Sequence, residues 1–114
     1  MSQRTARDLV AARSGWICEV CGSATATNFH HRKNASQGGL WLPSNGLHLC
    51  GSGTTGCHGR ITQNPADAYR LGWSVPSWQD PRAVTVFVFS HGMVLLDDAG
   101  RYLHTDQEVP CRAS

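Results

Sequence analysis

The sequence predicts a small α+β fold in which short helices precede an antiparallel β meander. Three observations support this prediction. Three short segments before residue 73 are predicted helices, and residues typical of a helix start and a helix stop bracket the third. The run AVTVFVF at 83–89 is strongly β-prone, and turn residues separate it from two further apolar runs. A length of 114 residues is typical of one domain, and the 12 Gly and 5 Pro indicate many turns.

Three helices are predicted from local signals. The first covers residues 3–13, and a Ser-Gly pair follows it as a stop. The second covers residues 57–63 and is one or two turns long. The third is the best marked and lies in NPADAYRLG at 64–72, where Asn64 is a capping residue, Pro65 takes the first helical position and a glycine ends the helix.

β-strands are predicted in both halves of the chain. The first half has two candidates, Ala24–His31 and Leu47–Leu49. The second half has three apolar runs that His-Gly and Asp-Ala-Gly turns separate, which predicts an antiparallel meander of Ala83–Phe89, Met93–Asp97 and Arg101–His104.

The two halves differ in charge. Residues 1–60 carry six Lys or Arg against two acids, whereas residues 61–114 carry four against six. A basic first half suits a polyanionic partner. We expect residues 1–64 to form an N-terminal helix and a functional core, and residues 65–114 to extend the same domain with a short helix and the meander.

The chain shows no targeting signal. Its start, MSQRTARDLVAARSG, has no apolar core of the kind found in signal peptides, and no apolar run is long enough to span a membrane. We therefore expect a cytoplasmic protein without a membrane partner. In that reducing compartment, clustered cysteines are more often metal ligands than disulfides.

Four cysteines form two pairs. Cys18 and Cys21 are a C-x₂-C knuckle, and Cys50 and Cys57 follow about thirty residues later as C-x₆-C. Glycines let the second loop double back: Gly51, Gly53 and Gly56. Four thiolates in two pairs are typical of a structural, tetrahedral Zn²⁺ site. The alternative is a set of unrelated thiols or disulfides.

The same glycine loop has a second interpretation. GSGTTG at 51–56 matches the G-x-G-x-x-G pattern of dinucleotide-binding loops. That pattern belongs to a βαβ unit with an acidic residue near the end of its second strand. Nothing after the loop supplies that strand, so we reject a dinucleotide site.

Two adjacent histidines end the first strand candidate. His30 and His31 point to opposite sides of a strand, since side chains alternate there. Asn45 follows fourteen residues later, and His58 directly follows the last paired cysteine. Because zinc would join the two cysteine pairs, it would also bring His58 near the strand that carries His30. The sequence therefore predicts a second site beside the cysteines.

The other histidines and the fifth cysteine receive no functional role. We interpret three histidines as surface residues: His48, His91 and His104. His48 is next to a zinc-site cysteine in sequence, so packing near the zinc site is an alternative for it. Cys111 is unpaired, and we expect it to have no role.

These motifs together resemble those of the HNH endonucleases, specifically the small, zinc-stapled proteins of the phage type. The stretch CEVCG…FHHRK…SNGLHLCG…GCHG carries the resemblance, which covers about residues 14–64. The two cysteine pairs, the His-His, the Asn and the Cys-His occur in the same order. The resemblance implies a ββα-metal core, in which two antiparallel strands and a helix surround one catalytic divalent cation.

The resemblance also assigns roles to residues. His31 would be the general base, and His30 and His58 would hold the divalent cation. Asn45 would brace the loop that orients His31. Thr62 stands where many relatives have a further histidine ligand. Two imidazoles suit Mn²⁺, Ni²⁺ or Zn²⁺ as well as Mg²⁺, so the residues do not fix the catalytic metal.

The function that the resemblance implies is hydrolysis of DNA phosphodiester bonds. Three basic residues flank the motif and are candidates for contacts with backbone phosphates: Arg32, Lys33 and Arg60. Nothing resembles a base-reading helix, so we expect weak sequence preference. The resemblance also implies a phage or prophage protein, with a DNA-packaging terminase as a partner and homing or restriction as other settings. The alternative is a non-catalytic zinc-binding module that binds nucleic acid or a protein.

Overall fold

The computed structural model describes residues 1–104, so Cys111 lies outside the described residues. In that range it has three α-helices, which begin and end within one or two residues of the predicted bounds: α1 (Gln3–Ser14), α2 (Gly56–Gln63) and α3 (Pro65–Arg70). The Asn64 side chain does not cap α3, because it donates to the Arg60 carbonyl at 2.8 Å instead. No helix of residues 1–104 is long and apolar enough to cross a membrane.

Five strands in the described range form two antiparallel sheets. One sheet pairs β1 (Asn28–His31) with β2 (Gly46–Leu49). The other is the predicted meander, in the order β3 (Val86–Val88), β4 (Gly92–Leu96) and β5 (Tyr102–His104). Three strands, β1, β3 and β5, are shorter than the runs that predicted them, whereas β2 begins one residue earlier than predicted and β4 keeps its length but is shifted by one residue. One reason is that residues 81–83 form a 3₁₀ turn that begins at a proline, which delays the start of β3.

The two faces of the β1–β2 sheet have different neighbours. Asn28 and His30 share the inner face, while Phe29 and His31 share the outer face. The inner face continues on β2 with two fully buried leucines, Leu47 and Leu49. It packs against α2 and the core, whereas α1 lies against the outer face.

Elements from both halves of the chain build one hydrophobic core. Buried side chains before residue 64 contact buried side chains of α3 and the meander: Leu47, Leu49, Ile61, Ala68, Trp73, Val86, Val88, Val94 and Leu96. Two of the paired cysteines, Cys18 and Cys57, belong to the same cluster. The meander therefore covers a core that the first half cannot enclose alone.

Arg32 joins the two halves and is not available to DNA. It is only 2% exposed, and its Nε donates to the Gly72 carbonyl at 2.8 Å. The other guanidinium nitrogens donate to the carbonyls of Ser44, Pro81 and Val84 at 2.8, 3.0 and 2.8 Å. The prediction that Arg32 contacts backbone phosphates is therefore wrong, because burial and these four carbonyls already occupy the guanidinium.

A buried carboxylate ties α1 to β2 and β5. Glu19 is 2% exposed and accepts from Arg13 Nε at 2.8 Å and Nη2 at 2.9 Å. It also accepts from the Tyr102 hydroxyl at 2.5 Å and from the His48 backbone N–H at 2.7 Å. This network satisfies a buried charge, which otherwise costs several kcal/mol.

The surface interpretation of His48 is wrong, while the other two histidines are exposed as expected. His48 is 7% exposed, its Nδ1 lies 2.7 Å from the Ser14 hydroxyl, and its ring is 5.2 Å from that of Trp16. His91 and His104 are exposed, with 3.2 Å between His91 Nδ1 and His104 Nε2.

Candidate functional site

The four paired cysteines form one cluster that could bind a metal ion such as zinc. Their sulfur atoms all lie within 4.8 Å of one another, and the sulfurs of Cys21 and Cys50 are 3.9 Å apart. Sulfurs around a zinc ion with Zn–S bonds of about 2.3 Å lie about 3.8 Å apart. All four thiols are free, so the disulfide alternative does not describe them.

Hydrogen bonds prepare part of the cluster for metal binding. Burial raises the pKa of Cys21, but hydrogen bonds from the Ser23 hydroxyl and nearby backbone outweigh it and lower this pKa to about 6. Burial raises the pKa of Cys18 and of Cys57. A bound divalent cation would reverse those two shifts, because it stabilises thiolates directly.

Two glycines make the second cysteine loop reverse. Gly51 and Gly56 have φ angles of +87° and +63°, a region that other residues adopt at a cost. A Cβ on Gly51 would lie 2.1 Å from the Thr55 carbonyl oxygen. The third glycine of the predicted set, Gly53, has no such requirement, since a Cβ there would meet no atom within 4 Å. The reversal places α2, and therefore His58, beside the cluster.

His30 and His58 come together on the inner face of the β1–β2 sheet. Their ring centroids are 5.2 Å apart with an interplanar angle of 67°. Two imidazoles bound to one cation at metal–nitrogen distances of about 2.1 Å have centroids about 5 Å apart. The spacing of this pair therefore fits a shared cation.

Hydrogen bonds fix the tautomer of both rings. His30 Nε2 is 2.8 Å from the Trp73 carbonyl oxygen, which only accepts, so this nitrogen carries the proton. His58 Nδ1 is 2.8 Å from Asn28 Oδ1, and the Asn28 amide nitrogen donates to the Gly51 carbonyl at 2.9 Å. The lone pairs are therefore on His30 Nδ1 and His58 Nε2. Histidines that bind metals have this arrangement, in which the second nitrogen donates to a protein oxygen.

Burial favours the neutral form of both imidazoles. It lowers the pKa of His30 to about 4, although the Trp73 carbonyl acts in the opposite direction. It also lowers the pKa of His58. Neutral rings are the form that binds a cation.

Within the described residues, no third His, Cys, Asp or Glu side chain joins the pair. Among residues 1–104, the cysteine cluster is the one group of three or more His, Cys, Asp or Glu donors close enough to share a metal. The Thr62 hydroxyl, one helical turn after His58, donates to the His58 carbonyl at 3.1 Å. As far as the described part of the chain shows, water or a substrate would supply any further ligand at the pair.

His31 lies on the outer face, away from the pair. It is the last residue of β1 and is partly buried. Its ring centroid is 4.4 Å from that of Trp41 and 5.2 Å from that of Phe29. Burial and the positive charge of Arg7 lower its pKa. The structure thus brings His30 and His58 together and places His31 behind the strand that carries His30.

Asn45 closes the loop that follows His31. It is 1% exposed, and its Oδ1 accepts from the Lys33 backbone N–H at 2.8 Å. Its Nδ2 donates to the carbonyls of Lys33 and Leu40 at 3.0 and 3.1 Å. These bonds fix the backbone directly after β1, as a loop-bracing role requires.

Lys33 and Arg60 remain accessible to a polyanion. Lys33 Nζ donates to the Gln79 carbonyl at 3.0 Å near the surface. Arg60 is exposed on α2, where its guanidinium carbon lies 5.9 Å from the Trp73 ring centroid. Their contact with phosphates stays a prediction.

Three residues of this region were not found by sequence reasoning. Asn28 could have been found, because a strand places it on the same face as His30. Trp73 acts through its carbonyl, and Trp41 reaches His31 from a loop, so neither has a sequence signal.

No protein-family model matches this chain, and comparisons with curated proteins and with solved structures gave no match either.

Proposed function

We propose that the chain is a metal-dependent HNH-type endonuclease that hydrolyses phosphodiester bonds in DNA. The observation that carries the proposal is the His30–His58 pair, with rings 5.2 Å apart and one lone pair left on each ring. The order of β1, β2 and α2 around this pair supports a ββα-metal core. The sequence resemblance supplies the reaction type.

In this proposal a structural Zn²⁺ binds the four cysteines. The support is the mutual distance of their sulfurs, all within 4.8 Å. Cys57 directly precedes His58 in α2, so the zinc site would hold the helix that delivers the second imidazole. Structural zinc also contributes folding free energy to a small core.

His30 Nδ1 and His58 Nε2 would bind the catalytic cation, for which Mg²⁺, Mn²⁺, Ni²⁺ and Zn²⁺ are the candidates. The cation would supply Lewis-acid stabilisation of charge on the phosphate and on the leaving oxygen. His31 would accept a proton from the attacking water, as an imidazole does near neutral pH. Attack at phosphorus then breaks the bond to the 3′ oxygen and leaves 5′-phosphate and 3′-hydroxyl ends.

The position of His31 places a condition on this mechanism. The imidazole pair is on the inner face of the sheet and His31 is on the outer face, at the end of β1. A phosphodiester therefore has to lie across the end of the strand to meet both. Asn45, which fixes the backbone just beyond this point, would keep that end open and rigid.

Plasmid nicking tests the proposal. Zinc-loaded protein with added Mn²⁺ or Mg²⁺ should nick supercoiled plasmid, and His31→Ala should lower the rate at least 100-fold, within the usual range for a general acid–base residue. His58→Ala should also lower the rate, because it removes a ligand of the catalytic cation. His91→Ala is the matched control, because it removes an exposed histidine from another part of the fold. Equal rates in the His31 and His91 variants would overturn the assignment of His31.

A second candidate function is a non-catalytic zinc module that binds nucleic acid or a protein. Two observations favour it: the described residues offer the imidazole pair no third donor, and His31 packs against Trp41 and Phe29. This function is correct if folded, zinc-loaded wild type binds DNA but nicks none with any of the four cations.

The biological setting is proposed from the sequence resemblance alone. It is a phage or prophage protein that acts in the host cytoplasm and assists a terminase during DNA packaging. Co-purification with the terminase encoded beside it would support this setting, and a normal yield of packaged DNA without the chain would oppose it.

A further inference from the structure

The outer face of the β1–β2 sheet carries a row of rings that ends at a guanidinium. Phe29 and His31 stand side by side on β1, and Trp41 contacts both, at centroid distances of 4.8 and 4.4 Å. The guanidinium carbon of Arg7, on α1, lies 5.0 Å from the centroid of the Trp41 ring. Only the Trp41 ring therefore separates this positive charge from His31, the last residue of β1.

In the part of the chain that the structure describes, Arg7 is held in place without a counter-charge. When the Gln3 amide is oriented to satisfy both of its groups, its oxygen accepts from Arg7 Nε at 3.1 Å and from Nη2 at 3.3 Å. In residues 1–104, no carboxylate is within salt-bridge distance of Arg7, and the side chain is exposed. Nη1 makes no hydrogen bond to any other described residue, and a planar guanidinium held over an indole is preorganised to bind a phosphate.

A cavity of about 210 Å³ lies next to this guanidinium, between α1 and the outer face. Arg7 lines it together with the rings of Trp16, Phe29 and His48, and Trp16 is 60% exposed. Apolar rings beside a cation suit the sugar and base next to a phosphate. Asp8 also lines the cavity, and it is the one acid among the exposed charged side chains of α1.

We propose that Arg7 binds a backbone phosphate of DNA on the His31 side of the sheet, so that α1 is part of the substrate-binding surface. This inference rests on the proposed function. In this inference Arg7 takes the phosphate-binding role that was predicted for the buried Arg32, although no local sequence motif marks Arg7. It also supplies a contact on the outer face, where the mechanism requires the DNA strand to pass.

The test measures binding of a short DNA duplex by zinc-loaded protein over a range of NaCl concentrations, without other divalent cations. Arg7→Ala should weaken binding at least fivefold and make the slope of log K against log salt shallower by about 0.9, the value for one lost phosphate contact. The matched control is Arg4→Ala, which removes the same charge from an exposed position one turn earlier on α1. It should change the affinity less than twofold.

Each outcome decides between the claims. If wild type binds and nicks DNA but the Arg7 and Arg4 variants behave alike, the inference about Arg7 is wrong and the proposed function stands. If wild type neither binds nor nicks DNA, both fail together. Should Arg7→Ala not fold, Arg7→Gln gives the same comparison, because it keeps part of the aliphatic stem and a polar end group while it removes the charge.

Discussion

Replacement of Arg32 by Met removes four hydrogen bonds from the junction between the two halves of the chain. Two acceptors, the Gly72 and Ser44 carbonyls, form bonds that are fully buried, while those of Pro81 and Val84 are half-buried. A buried carbonyl without a donor costs about 1–3 kcal/mol, so the first two give about 2–6 kcal/mol. Removal of a buried charge offsets part of this cost. We therefore expect the free energy of unfolding to fall by about 3 kcal/mol.

Urea unfolding followed by circular dichroism, with saturating zinc, measures this change. Lys33→Met is the matched control, because the neighbouring lysine donates to one surface carbonyl and should change stability by less than about 0.5 kcal/mol. DNA affinity per folded molecule should be the same for Arg32→Met and wild type. A loss of stability no greater than that of the Lys33 variant would refute the structural role of Arg32.

Three further outcomes are expected. Cys50→Ser removes one of four clustered sulfurs and should abolish stoichiometric zinc in native mass spectra, whereas Cys111→Ser should keep it; equal zinc in both would contradict the site. Asn45→Ala removes three half-buried hydrogen bonds and should lower the free energy of unfolding in urea by about 2 kcal/mol, whereas Asn64→Ala at the surface should lower it by less than about 0.5 kcal/mol; similar losses would oppose a bracing role. Glu19→Gln leaves the buried Arg13 charge unpaired, so the free energy of unfolding should fall by about 3–5 kcal/mol. An unchanged midpoint of urea unfolding would contradict the role of this network.

Features that depend on neighbouring residues were predictable from the sequence. The Ser2 hydroxyl accepts from the Thr5 N–H and Gly15 adopts a φ of +64°, so local chemistry fixes both ends of α1. The meander followed from β-prone runs separated by turns. The cysteine cluster followed from ligand spacing, and its sulfurs meet as expected. In each case the residues that decide the structure are close in sequence or carry a strong chemical signal.

Burial set by distant partners was not predictable. The carbonyls that surround Arg32 belong to residues 12 to 52 positions later in the chain, so a local view assigns its charge to the surface. His48 follows the same rule, since Ser14 and Trp16 cover it from 34 and 32 positions away. Both residues are next to the motifs, which made a functional or surface role the simpler interpretation.

The histidine site is an intermediate case. Alternation along β1 predicted that His30 and His31 lie on opposite faces, and the structure has them there. The cysteine pairs predicted that His58 lies near His30, and the two rings are close together in the structure. The tautomers depend on Trp73, whose carbonyl reaches His30 from 43 positions away. The surroundings of His31 depend on Trp41, which only the folded loop brings to it.

Crystals grown with Mn²⁺ would test the central claim most directly, through the anomalous difference map. We expect one peak bonded to His30 Nδ1 and His58 Nε2, in addition to metal at the cysteines. A well-ordered protein with no peak between those two imidazoles, or with manganese at His91 and His104 instead, would contradict the proposed catalytic centre.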